Sequence, residues 1–502
     1  MALDNPASQP EDDQEVEGLP NPEEVICVLK EQPDTYEVLS LGKDGQGETP
    51  FFQLRRSTRT RGVSDENANR ALEQLLSDFG INNPPLHLQP SPQRRIHVVV
   101  STHSGTGLSL QFYENVLAPL LGAVGLTASA EPGRGGAEQH EASYHPLITQ
   151  DADSVKKFAQ HLSGRNRAEE GVEHTVVLLS GDGGIVDMLN GYVHGDDGAS
   201  SDDAERPGPP LVAILPLGTG NALFSSLHKT ATSPAAASDL VQGLRTLLRG
   251  QPAPLPSFKA VFPEGSRTIA YPEAAAGEAS PTPGPEEQTA RVAHLYGVVV
   301  ASYGFHSQLV WESDTPAYRR HGAARFQMVA QELLKESHAY RATVEVTRAD
   351  SRGRAVGGGA ERLGRDRHAY VLATPVSNLE KTFCISPASR PLDGQLQLVH
   401  FGPVDGAKTM EIMMAAYDGG KHVGMRWGGT AVDREEEDAD GVGYESIGEV
   451  RITTHEEDAR WRKVCIDGTI VEIPSGGCMV VRKEGRRHLR VLVDASIIDA
   501  SS

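Results

Sequence analysis

Leu178-Leu179-Ser180-Gly181-Asp182-Gly183-Gly184-Ile185-Val186-Asp187-Met188-Leu189-Asn190-Gly191 decides how the rest of this chain reads. The apolar run leading into it, Thr175 to Leu179, has the character of a buried parallel strand. It stops at a turn of small residues that holds one carboxylate. A helix follows, with Ile185, Met188 and Leu189 on one face. A strand, a glycine turn and a helix N-terminus gather backbone N–H groups at one point, which suits a phosphate. Asp182 is the odd member, because a carboxylate does not bind phosphate directly. It can take a proton from an attacking hydroxyl or order a Mg2+ ion. Its other use is to cap the helix expected from about Gly184.

The same design recurs twice. Leu211-Val212-Ala213-Ile214-Leu215 is an apolar strand, Pro216-Leu217-Gly218-Thr219-Gly220-Asn221 a tight polar turn, and Ala222 to Leu227 the start of a helix. Upstream, His97 to Val100 leads into Ser101-Thr102-His103-Ser104-Gly105-Thr106-Gly107 and an amphipathic helix, Leu110 to Leu121. Turns of this kind on neighbouring strands meet at the carboxyl edge of a parallel sheet, where open α/β folds bind their ligands.

The chain of 502 residues has room for more than one domain, and its net charge of −21 argues against a nucleic-acid binder. Two short basic runs, Arg55 to Arg61 and Arg486 to Arg490, read as solvated surface or as local lipid contacts. Cys27, Cys384, Cys465 and Cys478 are widely spaced, as expected of reduced thiols in a cytoplasmic protein. Residues 1–22 are acidic and proline-rich, which predicts a disordered tail rather than a signal peptide. No apolar run reaches membrane-spanning length.

Residues 23–92 are expected to form an extension of three short antiparallel strands and a helix. The α/β unit spans 94–255, and Pro252-Ala253-Pro254-Leu255-Pro256 marks a change of composition. From 256 to 485 many short strand candidates separated by glycine turns suggest an antiparallel β-sandwich. Loops near 272–288, 350–365 and 431–443 interrupt it. Residues 486–502 hold a last strand, Leu489 to Val493, that returns to an earlier sheet, and a tail.

The Ser-Gly-Asp-Gly turn, the later Asn190-Gly191 and Pro216-Leu217-Gly218-Thr219-Gly220-Asn221-Ala222-Leu223 together resemble the catalytic domain shared by diacylglycerol, sphingosine and ceramide kinases. The sphingosine kinase branch is the nearest in motif. The resemblance implies a Rossmann-like three-layer α/β lobe, of the kind NAD kinases also have, followed by a β-sandwich that holds lipid. It implies ATP and Mg2+, and a lipid substrate met at a membrane surface by a peripherally attached protein. Asp182 would be the catalytic base and touch the acceptor hydroxyl. Ser104, Gly105, Gly107, Ser180, Gly181, Gly183, Gly218, Thr219, Gly220 and Asn221 would line the nucleotide. Asp187 would hold Mg2+ through water.

Further blocks extend the likeness. Gly304-Phe305 to Ala324-Arg325-Phe326 resembles the family's lipid and nucleotide block, in which Arg319 and Arg325 would reach the phosphates and Gln308 the lipid head group. Sphingosine kinases carry an aspartate where Gln308 stands. Cys465-Ile466-Asp467-Gly468-Thr469 matches the family's Asp-Gly-Glu, so Asp467 and Gly468 would complete the nucleotide site, with Thr469 in place of the glutamate. Ser101-Thr102 replaces an Asn-Pro pair. The implied function is phosphorylation of a sphingoid base. The alternatives are ceramide, diacylglycerol or a soluble acceptor such as NAD, or a degenerate nucleotide- or lipid-binding protein.

Overall fold

The computed structural model describes residues 19–501 apart from 45–49, 63–65, 103–104, 130–142, 169–170, 195–207, 229–236, 272–286, 323, 351–352, 355, 357–358 and 428–440. The expected disordered tail therefore falls mostly outside the described residues, as do most of the loops near 272–288 and 431–443 and part of that near 350–365. At its inner end the tail expectation is corrected. Leu19 packs against the cluster of Val25, Val38, Leu72 and Leu75, because an apolar residue there completes the cover over a sheet face.

A seven-stranded sheet carries the glycine turns. Its strands run in the order Gln251–Leu255, Leu489–Val493, Leu211–Pro216, Glu173–Ser180, Arg94–Val100, Ser143–Ile148 and Thr127–Ala128. All pairs are parallel except the first. Helices cover both faces, so the inner strands must be apolar along their whole length. Seven of the eight residues of Glu173–Ser180 are buried accordingly. The helix Asp239–Arg249 packs on one face, its N-terminus capped by the Ser238 hydroxyl, which accepts from the Val241 amide.

The extension forms a four-stranded sheet, Phe51–Thr60, Thr35–Asp44, Val25–Gln32 and the short Gly80–Ile81, backed by the helix Glu66–Phe79. Its other face joins the α/β core, where Leu39, Leu41 and Phe52 share a cluster with Phe112 and Val116. Arg245 fastens the two units. Its guanidinium donates to the Val25 carbonyl at 2.8 Å and the Pro22 carbonyl at 2.6 Å, and lies 4.2 Å over the Phe79 ring.

The remaining strands join into one antiparallel sheet of 14 strands. Alternate residues of most of them, among them Phe258, Tyr303, Val344, Leu398, Ile452 and Val481, enclose a common core, so the sheet curls around its own apolar face. Its other face meets the α/β lobe. Asn190 ties the lobes together: its amide nitrogen donates to the Tyr296 carbonyl at 2.8 Å, and its oxygen accepts the Tyr296 amide at 3.0 Å. Among the described residues no helix is long and apolar enough to cross a membrane.

Arg245→Ala should cost about 2 kcal/mol, the scale of hydrogen bonds made by a charged donor. Urea unfolding reads the loss, and hydrogen exchange should localise it to the strand Val25–Gln32. Unchanged exchange there would mean that apolar packing alone holds the extension.

Candidate active site

Strands Arg94–Val100, Glu173–Ser180 and Leu211–Pro216 lie side by side, so their three turns meet at one edge of the sheet. The contact leaves no room for side chains. A Cβ on Gly218 would stand 2.4 Å from the Gly181 Cα, and one on Gly105 2.7 Å from the Thr219 methyl. Thr106 donates its hydroxyl to the Leu217 carbonyl at 2.6 Å, and Asn221 brackets its own turn, its oxygen accepting the Gly218 amide and its nitrogen donating to the Gly218 carbonyl. Asn221 reaches this geometry in the left-handed region, at φ 50°.

The helix after the first turn runs Asp182–His194, two residues earlier than its expected start. Asp182 does cap a helix, but a different one. Its carboxylate oxygens accept the amides of Ala222 at 2.7 Å and Leu223 at 3.0 Å, at the start of Ala222–Leu227. Burial raises the Asp182 carboxyl above its usual range, and these two hydrogen bonds pull it partway back. Asp187, one turn further along, is pushed up to about 7 by burial, with the Lys156 charge opposing and that of Asp153 adding.

The β-lobe closes the site with a hairpin. Asp467 and Gly468 both have positive φ, 47° and 89°, as a tight two-residue turn between strands requires. The Asp467 carboxylate accepts three successive amides, Val298 at 2.6 Å, Val299 at 3.1 Å and Val300 at 2.5 Å. It therefore pins that segment to the hairpin. Burial dominates these bonds, and repulsion from Asp182 adds to it, so the Asp467 carboxyl is pushed up to about 7.

Between these elements lies a cleft of about 490 Å³. Gly105, Ser180, Gly181, Asp182, Gly183, Asp187, Gly218, Thr219, Gly220, Asp467 and Gly468, all named from the sequence, line it. Its described lining has four carboxylates, Asp151, Asp182, Asp187 and Asp467, and no lysine or arginine. Asp151 and His306 were not anticipated. Asp151 could have been found by following the strand Ser143–Ile148 to its carboxyl end, as with the other three; nothing in the sequence marks His306.

Other expected site residues stand elsewhere. Ser104 lies outside the described residues. Gly107 and Asn221 shape their turns without lining the cleft. Arg319 and Arg325 stand outside this lining, beside Asp314. Arg319 makes a two-point bond to Asp314 at 3.0 and 2.7 Å, and Arg325 approaches the same carboxylate at 3.8 Å. Gln308 does not line it either. It is wholly buried and donates to Glu312 Oε1 at 2.6 Å, since its place on the helix Phe305–Ser313 turns it inward.

The glycine cradle fits a polyphosphate, for the Asp182 and Gly183 amides open a helix and have no acceptor within it. No three His, Cys, Asp or Glu side chains among the described residues converge to hold a metal by themselves.

Residues 95–249 match the family model of the diacylglycerol kinase catalytic domain, a span that includes all three glycine turns. Gln308, Arg319, Arg325 and Asp467 lie beyond it. No curated protein matches the chain. Among solved structures, a diacylglycerol kinase from Bacillus anthracis str. Sterne aligns at 12% identity, covering 80% of this chain and 98% of its own, with a TM-score of 0.42. A second structure from that organism, named only provisionally as a diacylglycerol kinase, aligns at 13% identity, covering 80% of this chain and 96% of its own, with a TM-score of 0.46.

Gly218→Ala should destabilise the protein by about 1–3 kcal/mol, because the new methyl meets backbone. Gly183→Ala, whose Cβ meets nothing within 4 Å, should be near neutral. Urea unfolding compares the two, and equal losses would disprove the close approach. Asp187 gives a pH signature. Its native carboxyl keeps a proton that the unfolded chain releases near pH 4, so its contribution to stability is full below about pH 4 and fades as pH rises to about 7. Asp187→Asn should flatten that decline and gain on the parent at pH 8. An unchanged pH profile of the melting temperature would rule this out.

Proposed function

We propose that this chain is a lipid kinase, which moves the γ-phosphoryl group of ATP to a lipid hydroxyl. The observation that carries this reading is Asp182: a raised carboxyl placed where two glycine turns and the β-lobe face one another across a cleft. The diacylglycerol kinase match over residues 95–249 supports it independently.

Magnesium-bound ATP supplies the phosphoryl group and a cation to offset its charge. On this reading the backbone of Gly181 to Gly184 and Gly218 to Gly220 would cradle the phosphates, and Asp187 would help hold the ion. Asp467 acts through the Val298–Val300 segment, which it fixes as one wall. Asp182 holds the acceptor hydroxyl and takes its proton as the oxygen bonds to the γ-phosphorus, whose bond to the β–γ bridging oxygen breaks so that ADP leaves. A carboxyl raised by burial is suited to that work, being closer to the pH at which a base both binds and returns a proton. The two amides that Asp182 accepts fix its plane and leave further lone pairs for the hydroxyl. The acceptor is reached from the aqueous side of a cytoplasmic membrane surface. The sphingoid-base version rests on the likeness of Ser180-Gly181-Asp182-Gly183 and Asn221-Ala222-Leu223 to sphingosine kinases.

One observation favours a second reading. With no basic side chain in the described lining, and Arg319 and Arg325 held by Asp314, the chain could bind a nucleotide without transferring phosphate.

Labelled γ-phosphate transfer from Mg-ATP to sphingoid bases, ceramide, diacylglycerol, monoacylglycerol and NAD separates the readings. Asp182→Asn should lower transfer by about 10²–10⁴-fold, the usual worth of a positioned base, while ATP affinity holds. Its amide can accept only with one end, so a stability loss of about 1 kcal/mol should accompany it. Transfer undiminished in Asp182→Asn would end the base assignment, and ATP binding with no labelled lipid would favour the second reading.

A further inference from the structure

The helix Ala222–Leu227 has six residues, too few to hold its shape without partners. One partner is Asp182, which accepts its first two amides. Another lies in the β-lobe. Ser226 is buried one turn further on, and its hydroxyl donates to the Asn378 carbonyl at 3.2 Å and accepts the Asn378 amide at 3.1 Å. A hydroxyl can do both at once, so one side chain holds both backbone groups of a residue in the opposite lobe. The Asn378 side chain stiffens its own loop. Its Nδ2 donates to the Glu380 and Lys381 carbonyls, each at 3.3 Å, and its Oδ1 accepts the Ser377 hydroxyl at 2.8 Å.

The next residue, Leu379, returns to the cleft. A Cβ on Gly220 would lie 3.7 Å from the Leu379 carbonyl oxygen and 3.9 Å from Asp182 Oδ2, so that carbonyl and the Asp182 carboxylate border the same small space. The contacts form a ring: Asp182, the helix Ala222–Leu227, Ser226, Asn378, Leu379 and back to Asp182. A separate cavity of about 20 Å³ lies between the lobes, lined by Leu223, Ser226, Leu227, Val298, Val376 and Leu392 among others. It has room for one water. Close packing is interrupted where Ser226 meets the β-lobe, so the hydroxyl, rather than interlocked side chains, sets the spacing there.

We propose that Ser226 is a positioning residue for phosphoryl transfer: by fixing the helix Ala222–Leu227 to Asn378, it sets how Asp182 stands relative to the β-lobe wall of the cleft. The inference rests on the lipid kinase reading and extends it from the base to the joint that orients the base. Asn190 already ties Asp182's own helix, Asp182–His194, to Tyr296 of the β-lobe. Without the Ser226 joint, one helix of the pair stays fastened to the β-lobe and the other does not. The two hydrogen bonds between the helices, from Ala222 and Leu223 to Asp182, then take up the difference. Those bonds oppose the effect of burial on the Asp182 carboxyl. When they lengthen, burial acts with less opposition and the base keeps its proton to higher pH.

The test compares Ser226→Val with Ser226→Thr, two side chains of one shape that differ in the hydroxyl. Labelled phosphate transfer to whichever lipid the parent phosphorylates fastest gives kcat, ATP KM and the pH profile of kcat for each full-length variant. Ser226→Val should lower kcat about tenfold, the worth of one hydrogen bond, with ATP KM within about twofold. The acid limb of its pH profile should move up by as much as about one unit, since the amides are weakened and not lost. Ser226→Thr should keep the parent's limb and most of its kcat. Arg245→Ala, whose lost bonds lie outside the cleft lining, should leave the limb in place, which separates a shift from mere instability. Melting temperatures show whether Ser226→Val folds, and Ser226→Ala takes its place if it does not. The same limb position in the variants with and without the hydroxyl would overturn the assignment and leave the kinase reading standing. A folded parent that phosphorylates no lipid would overturn the kinase reading, and this inference with it.

Discussion

The cleft depends on one cross-turn bond. Asp182 belongs to the turn after Glu173–Ser180, yet its carboxylate holds the first two amides of the helix that follows the neighbouring strand. Those amides would otherwise be orphaned at a buried helix start. The bond draws the two turns together until Gly181 and Gly218 touch backbone to backbone. Removing either glycine's freedom from side chains, or the carboxylate, therefore disturbs the same distance. It also leaves Asp182 with a fixed plane and a free edge, which a surface aspartate on a mobile side chain would not have.

Charge sets the second constraint. A cleft with four carboxylates in its described lining and no basic side chain repels an anion unless a cation comes with it. Burial is the main reason that Asp182 and Asp467 each sit above the usual carboxylate range, and for Asp467 repulsion from Asp182 adds to it. Helix-start amides offset part of it. Arg319 and Arg325 stand outside the lining, Arg319 bonded to Asp314 and to the Tyr271 carbonyl and Arg325 beside Asp314.

Much of this arrangement was legible in the residues. The three strand–turn–helix units could be read because buried parallel strands leave continuous apolar runs and the turns leave glycines, both local signals. Asp467-Gly468 could be read locally as a hairpin turn, and its place in the site only from the resemblance. What escaped was non-local or angular. The helix that Asp182 caps starts 40 residues later, beyond any spacing rule. The bond from Arg319 to Asp314 is nearby in sequence, but whether an arginine turns to it or to a cleft is decided by packing. On the helix Phe305–Ser313 the text allows either His306 or Gln308 to face the site, and only the helix's rotation against its neighbours chooses. The strands from 256 onward could be counted as candidates, but their joining into one curled sheet is a matter of register that alternation alone does not encode.

The strand Leu489–Val493 runs between Leu211–Pro216 and Gln251–Leu255, so the chain leaves the α/β lobe near residue 255, builds the β-lobe, and comes back to fill a gap left in the first sheet. Val491 and Leu492 are interior residues of the lobe that was apparently finished more than two hundred residues before. During synthesis, then, the first lobe waits open-seamed until almost the whole chain has emerged. The segment matched as a catalytic domain stops short of that strand, and cutting the gene at residue 255 would isolate a sheet with a missing plank.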